Sequence, residues 1–328
     1  MCALVALAFT SCKKTNTNST MTFKASITQP ESNDRTWVTQ RSNLAWSMGD
    51  TILVFDANTV NKDFTVSSLN GTGNDLDQEA IFVVEDEKVG FLADIETPKT
   101  YSAFYPHASF NAGDNTVSMT IPATQKWDFE NGHGGSFTTN TYPMFGVNDA
   151  ANHFEFRSHA GILQFNFACE TDRIVRVKEI IITADDPLVG TMVYNYKYPV
   201  DSVYSPTADV YTVTETANTV NLECFDSNND YVELSQPDEY GTLLHKRFEF
   251  ALLRGALANG FHVTVIGDKN NPSNFAEMMY NQTLLDEDVP ASIDNQNVNN
   301  TIEAEKITNM MNRFLPAYGP GEGDGFVH

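Results

Sequence analysis

Ile162-Leu163-Gln164-Phe165-Asn166-Phe167 sets Leu163, Phe165 and Phe167 on one side of an extended chain and polar Gln164 and Asn166 on the other. A two-residue period is the signature of a β-strand, because successive side chains of a pleated backbone point to opposite faces. The same pattern recurs in both directions. Toward the N-terminus, runs rich in β-branched and aromatic residues fall at 23–27, 51–55, 64–69, 80–84, 89–93, 101–105, 117–121 and 154–156. Toward the C-terminus they fall at 177–183, 189–196, 211–214, 219–224, 247–253 and 261–266. Gly, Asn, Asp or Pro, which favour turns, bound the first six of these, from 23–27 to 101–105. Helical periodicity is weak. Residues 303–314 read either as a short helix with Ile307, Met310, Met311 and Phe314 on one side, or as a closing strand. Many short strands with frequent turn signals predict an all-β chain of β-sandwiches. A length of 328 residues suits two in tandem, an N-terminal domain at 23–165 and a C-terminal domain at 166–314.

Composition narrows the function. Hydrophobic content of 41% with 22 Phe and 12 Tyr is enough to fill real cores, which excludes a disordered chain. Net charge is −23, and the basic residues form nothing larger than the adjacent pairs Lys13-Lys14 and Lys246-Arg247. Nothing is available to neutralise a phosphate backbone, so nucleic acid is not an expected partner. Of four cysteines, Cys2 and Cys12 lie near the N-terminus, and Cys169 and Cys224 lie in the body. The body pair has neither metal-site spacing nor the density of a disulfide framework, and both are expected as buried thiols, with a single bridge between them as the alternative.

The apolar run 3–9 leads into Thr10-Ser11-Cys12 and then Lys13-Lys14. It is too short to span a bilayer but has the length of a signal-peptide core, although no basic segment precedes it. A small residue directly before a cysteine resembles a bacterial lipobox. Residues 1–11 then form the signal peptide, Cys12 is acylated as the first mature residue, and polar residues 12–22 form a tether.

No catalytic motif is visible: there is no phosphate-binding glycine loop, no G-x-S-x-G elbow and no H-E-x-x-H helix. The seven His are scattered. His153 and His159 can approach across a turn, but no ligand set at metal spacing accompanies them. Asp226, Asn228, Asp230 and Glu233 mimic the start of a calcium loop without its glycine, and an Asn/Asp-rich turn explains them equally. Trp37, Trp46 and Trp127 make a sugar platform if exposed and core filling if buried. The expectation is a non-enzyme with no cofactor and no metal.

Several segments occur in a telling order. Phe23-Lys24-Ala25-Ser26, Arg35-Thr36 and Trp46-Ser47-Met48-Gly49-Asp50-Thr51-Ile52-Leu53-Val54-Phe55 resemble the opening of the fimbrillin family, the type V pilins of Bacteroidota. Tyr101-Ser102-Ala103-Phe104-Tyr105-Pro106, Ile121-Pro122-Ala123-Thr124-Gln125 and Pro143-Met144-Phe145-Gly146 follow at family-like intervals. Phe248-Glu249-Phe250 and Gly260-Phe261-His262-Val263-Thr264-Val265 are similar to its late strands. The likeness runs over most of 20–314.

The resemblance implies tandem transthyretin-like sandwiches in a lipoprotein precursor held in the outer membrane through its acylated cysteine and destined for a cell-surface fimbria. It implies that a protease cuts after an arginine and removes the first strand. A segment from a neighbouring pilin subunit then fills the groove, and the fibre adheres to a host or glycan receptor. On this chain the removable strand is 23–27, with Phe23, Ala25 and Ile27 facing inward, and the cleavage candidates are Arg35 and Arg41. The run 315–328 carries two Pro and four Gly, poor material for a donor strand, which points to a tip or accessory subunit. The alternative reading is a monomeric surface lipoprotein that binds a glycan or host ligand.

Overall fold

The computed structural model describes residues 21–29, 31–32, 44–56, 58, 60–70, 79–84, 91, 100–127, 137, 140–148, 152–169, 175–205, 208–225, 228, 231–234, 246–259, 261–267, 279–283, 306–309 and 313–315. In chain order the strands are β1 (Phe23–Ile27), β2 (Glu31–Ser32), β3 (Thr51–Phe55), β4 (Asn61–Leu69), β5 (Glu79–Val83), β6 (Ser102–Tyr105), β7 (Ser109–Asn111) and β8 (Thr116–Ile121). Then come β9 (Thr124–Lys126), β10 (Met144–Asn148), β11 (His153–Arg157), β12 (Gly161–Cys169), β13 (Val175–Ala184) and β14 (Val189–Asn195). A single helical turn, α1 (Tyr198–Asp201), precedes β15 (Tyr211–Ala217), β16 (Thr219–Glu223), β17 (Val232–Leu234) and β18 (Lys246–Leu252). The last are β19 (Phe261–Gly267), β20 (Met279–Thr283), β21 (Lys306–Asn309) and β22 (Arg313–Leu315). The chain is nearly all β. Residues 306–309 and 313–315, where helix and strand were both open, are strands parallel to β12.

The first seven-stranded sheet closes on itself in the order β1-β11-β10-β6-β3-β4-β5. Alternation aims one side chain in two at its interior: Phe23, Ile52, Phe64, Phe82, Phe154 and Phe156 are each fully buried. Trp46 sits among them, edge-on to Phe82 at 5.0 Å, Phe156 at 5.1 Å and Tyr105 at 5.2 Å. On β3 and β6, and at Phe145 of β10, the outward residues are buried as well, because a second sheet, β15-β14-β8-β7, lies against them. Phe55 meets Phe110 and Tyr196, while Phe104 and Phe145 meet Tyr194.

Where two facing sheets were expected in the first half, strand pairing closes the sheet, because β1 finds a partner on each side. Pairing also runs across the expected join between 165 and 166. β12 spans that point as one strand, and β8 and β9 pair with β14 and β16 from beyond it. Two further sheets carry the later strands: β18-β12-β21-β2 with β22 beside β12, and β20-β19-β13-β16-β9 with β17 beside β13. Among the described residues no helix is long and apolar enough to cross a membrane.

Candidate functional site

β1 is where local sequence and global closure meet. Its pattern F-K-A-S-I leaves Phe23 and Ala25 fully buried and Ile27 nearly so, while Lys24 is exposed. It runs antiparallel to β5, with Phe23 opposite Phe82 and Ala25 opposite Ala80. On the other side it runs parallel to β11, with Ala25 opposite Phe154 and Ile27 opposite Phe156. The Phe23 ring packs 4.9 Å from Phe154, 5.0 Å from Phe64 and 5.2 Å from Tyr101.

Polar contacts fix both ends. The Met21 N–H donates to the Phe91 carbonyl at 2.8 Å, and the Tyr101 hydroxyl donates to Met21 Sδ at 3.1 Å. After the strand, the Thr28 N–H donates to the Phe156 carbonyl and its hydroxyl to Glu155 Oε1 at 3.0 Å. That hydroxyl is the main cause holding the Glu155 carboxyl below the usual range, with Arg157 adding to it. Gln29 then bonds Leu44 with both ends of its amide, at 2.9 and 2.8 Å.

The slot that β1 fills is thus a two-sided hydrogen-bonding ladder over an apolar floor. An extended segment with a large, a small and a medium apolar side chain at alternate positions matches it. Phe23, Ala25 and Ile27 are brought together here. Arg35, Arg41 and Trp37 fall in the sequence between Gln29 and Leu44 and, like Cys12, lie outside the described residues.

No family model and no curated protein matches the chain. Solved structures do. The chain is similar to adhesion and fimbrial assembly proteins of Bacteroides and Parabacteroides. A candidate cell adhesion protein of Bacteroides uniformis shares 12% identity at a TM-score of 0.47, covering 92% of this chain and 95% of that one. A second, from Bacteroides ovatus, shares 12% identity at 0.41 over 81% and 86%. A fimbrial assembly protein of Parabacteroides distasonis shares 8% identity at 0.33 over 88% and 90%.

The other residues singled out in the sequence are dispersed. Trp46 and Trp127 are buried, so neither offers a sugar platform; the Trp127 indole donates to the Arg247 carbonyl at 3.1 Å. Cys224 is a buried free thiol whose pKa burial pushes well up, and the Cys169 side chain is outside the described set. Among the described residues no three His, Cys, Asp or Glu side chains group as metal ligands; Asp226 and Asp230 are not among them.

Two buried polar groups carried no clear sequence signal. Asp50 ends the W-S-M-G-D turn, in which Gly49 takes φ +92°; its carboxylate accepts the Ser47 N–H at 2.8 Å and the Tyr105 hydroxyl at 3.2 Å. Burial nonetheless raises its pKa to about 6. His159 is fully buried among Phe145, Tyr194, Tyr198 and Tyr204, and burial lowers its pKa to about 4.

Proposed function

We propose that this chain is a fimbrillin-like structural and adhesive subunit, lipid-anchored through Cys12 as a precursor and assembled at the cell surface by strand exchange. It is a non-catalytic, nearly all-β protein. The observation that carries the reading is the placement of β1, a five-residue strand bonded on both sides with its apolar residues in the core. Proteolysis at Arg35 or Arg41 would leave β1 held by non-covalent contacts alone. Its departure would open unpaired N–H and C=O groups on β5 and β11 beside exposed Phe64, Phe82 and Phe154, and such an edge captures another strand. The lipobox-like Thr10-Ser11-Cys12 supports the anchor.

Digestion of the full chain with an arginine-specific protease tests this. The expected products start after Arg35 or Arg41, and with a pilin partner they form complexes that survive detergent. Resistance at both arginines, or cleavage with no complex, contradicts assembly.

A further inference from the structure

On the outer face of the closed sheet, β10 and β11 face α1 and the loop after it across an open pocket of about 300 Å³. One wall is set by strand alternation: Val147 lies opposite Glu155 and Phe145 opposite Arg157, so Val147, His153, Glu155 and Arg157 line it. The other wall carries the rings of Tyr198 and Tyr204. The Arg157 guanidinium lies 4.9 Å over the Tyr204 ring and donates to Glu155 Oε1 at 3.0 Å.

This pocket is built, not incidental. The Tyr204 hydroxyl donates to the Ser158 carbonyl at 2.9 Å, and Tyr198 shares a hydrogen bond of 3.3 Å with buried His159 Nε2. Both rings are held before any ligand arrives, which lowers the ordering cost of binding. Glu155 is likewise fixed from below by Thr28. Yet the Glu155 and Arg157 side chains remain 56% and 36% exposed, so their outer faces are open to a ligand.

We propose that this pocket binds a neutral saccharide unit. A pyranose ring offers its C–H groups to exposed Val147 and to the open part of half-buried Tyr204, and its adjacent hydroxyls both donate to Glu155 and accept from Arg157. An anionic ligand fits less well. The charge of Arg157 is already balanced by Glu155 at the same site, and a chain of net charge −23 repels anions at long range. Concave shape, aromatic lining and a few convergent polar groups are what small-ligand sites share.

Saturation-transfer NMR on the full chain tests it, with the methyl glycosides of glucose, galactose, mannose and N-acetylglucosamine as probes and N-acetylneuraminic acid as the anionic comparison. The expected result is saturable transfer to at least one neutral glycoside, weakened at least about tenfold by Arg157→Ala and by Val147→Trp, which plugs the mouth from an exposed position. Transfer to no neutral glycoside, transfer only to N-acetylneuraminic acid, or transfer that both Arg157→Ala and Val147→Trp leave unchanged would each overturn the proposal.

Discussion

Gln29 grips Leu44 with both ends of its amide: Nε2 donates to the Leu44 carbonyl at 2.9 Å, and Oε1 accepts the Leu44 N–H at 2.8 Å. The same Nε2 reaches the Ile27 carbonyl at 3.2 Å, so one side chain ties the end of β1 to the far side of the 30–43 connection. Replacing Gln29 by Ala removes these bonds, and at about 0.5–1.5 kcal/mol net for each, the loss is about 2 kcal/mol. Chemical denaturation of Gln29→Ala should show it, and in a chain nicked within 30–43 the same change should speed the loss of β1.

The three inward residues of β1 should respond by volume. Phe23→Ala leaves a cavity among Phe64, Tyr101 and Phe154 and should cost about 3–5 kcal/mol. Ala25→Leu forces extra methylenes between Ala80 and Phe154 and should cost about 1–3 kcal/mol. Exposed Lys24→Ala should stay within about 0.5 kcal/mol of the parent in the same denaturant series.

Strand existence was legible because apolar alternation is a local property. The expected 23–27 and 51–55 coincide with β1 and β3 residue for residue. Alternation was less informative about what covers each face. Gln164 reads as a solvent-facing residue, yet it is buried, because β12 is central in its sheet and covered on both sides. β10 was not marked as a strand, since Gly146 breaks its run; a Cβ there would meet the Glu155 carbonyl at 3.0 Å, so close backbone approach requires glycine. Closure of the first sheet and the pairing of β8 with β14 depend on contacts between distant residues, which no local period encodes. The pocket between β10, β11 and α1 was hidden for the same reason.

Asp50 gives a pH signature of definite sign. Its folded-state pKa lies above the ordinary 3.8, at about 6, so its contribution to stability is fully present below pH 3.8 and is lost as pH rises through about 6. Asp50→Asn, which cannot ionise, removes this dependence. The stability of the parent relative to Asp50→Asn should therefore fall by on the order of 2 kcal/mol between about pH 4 and pH 7. Thermal melts at both pH values check it, and a difference that does not change contradicts it.

His159 works in the opposite direction. Burial lowers its pKa from 6.5 to about 4, so its contribution is present above pH 6.5 and is lost as pH falls through about 4. NMR titration of its imidazole should give a midpoint near 4. Opening of the Tyr194, Tyr198 and Tyr204 cluster should accompany that protonation, read as a change in tyrosine fluorescence.

The central claim is that β1 is an exchangeable part of its sheet, and strand replacement in trans measures that most directly. The full chain, nicked between Gln29 and Leu44, is incubated with an excess of labelled peptide spanning residues 21–29, and incorporation is followed by native mass spectrometry. The account predicts one peptide bound per chain with loss of the original N-terminal fragment, and no binding of a peptide carrying Phe23→Asp and Ala25→Asp. A nicked chain that keeps its own strand indefinitely, or takes up both peptides alike, would contradict it.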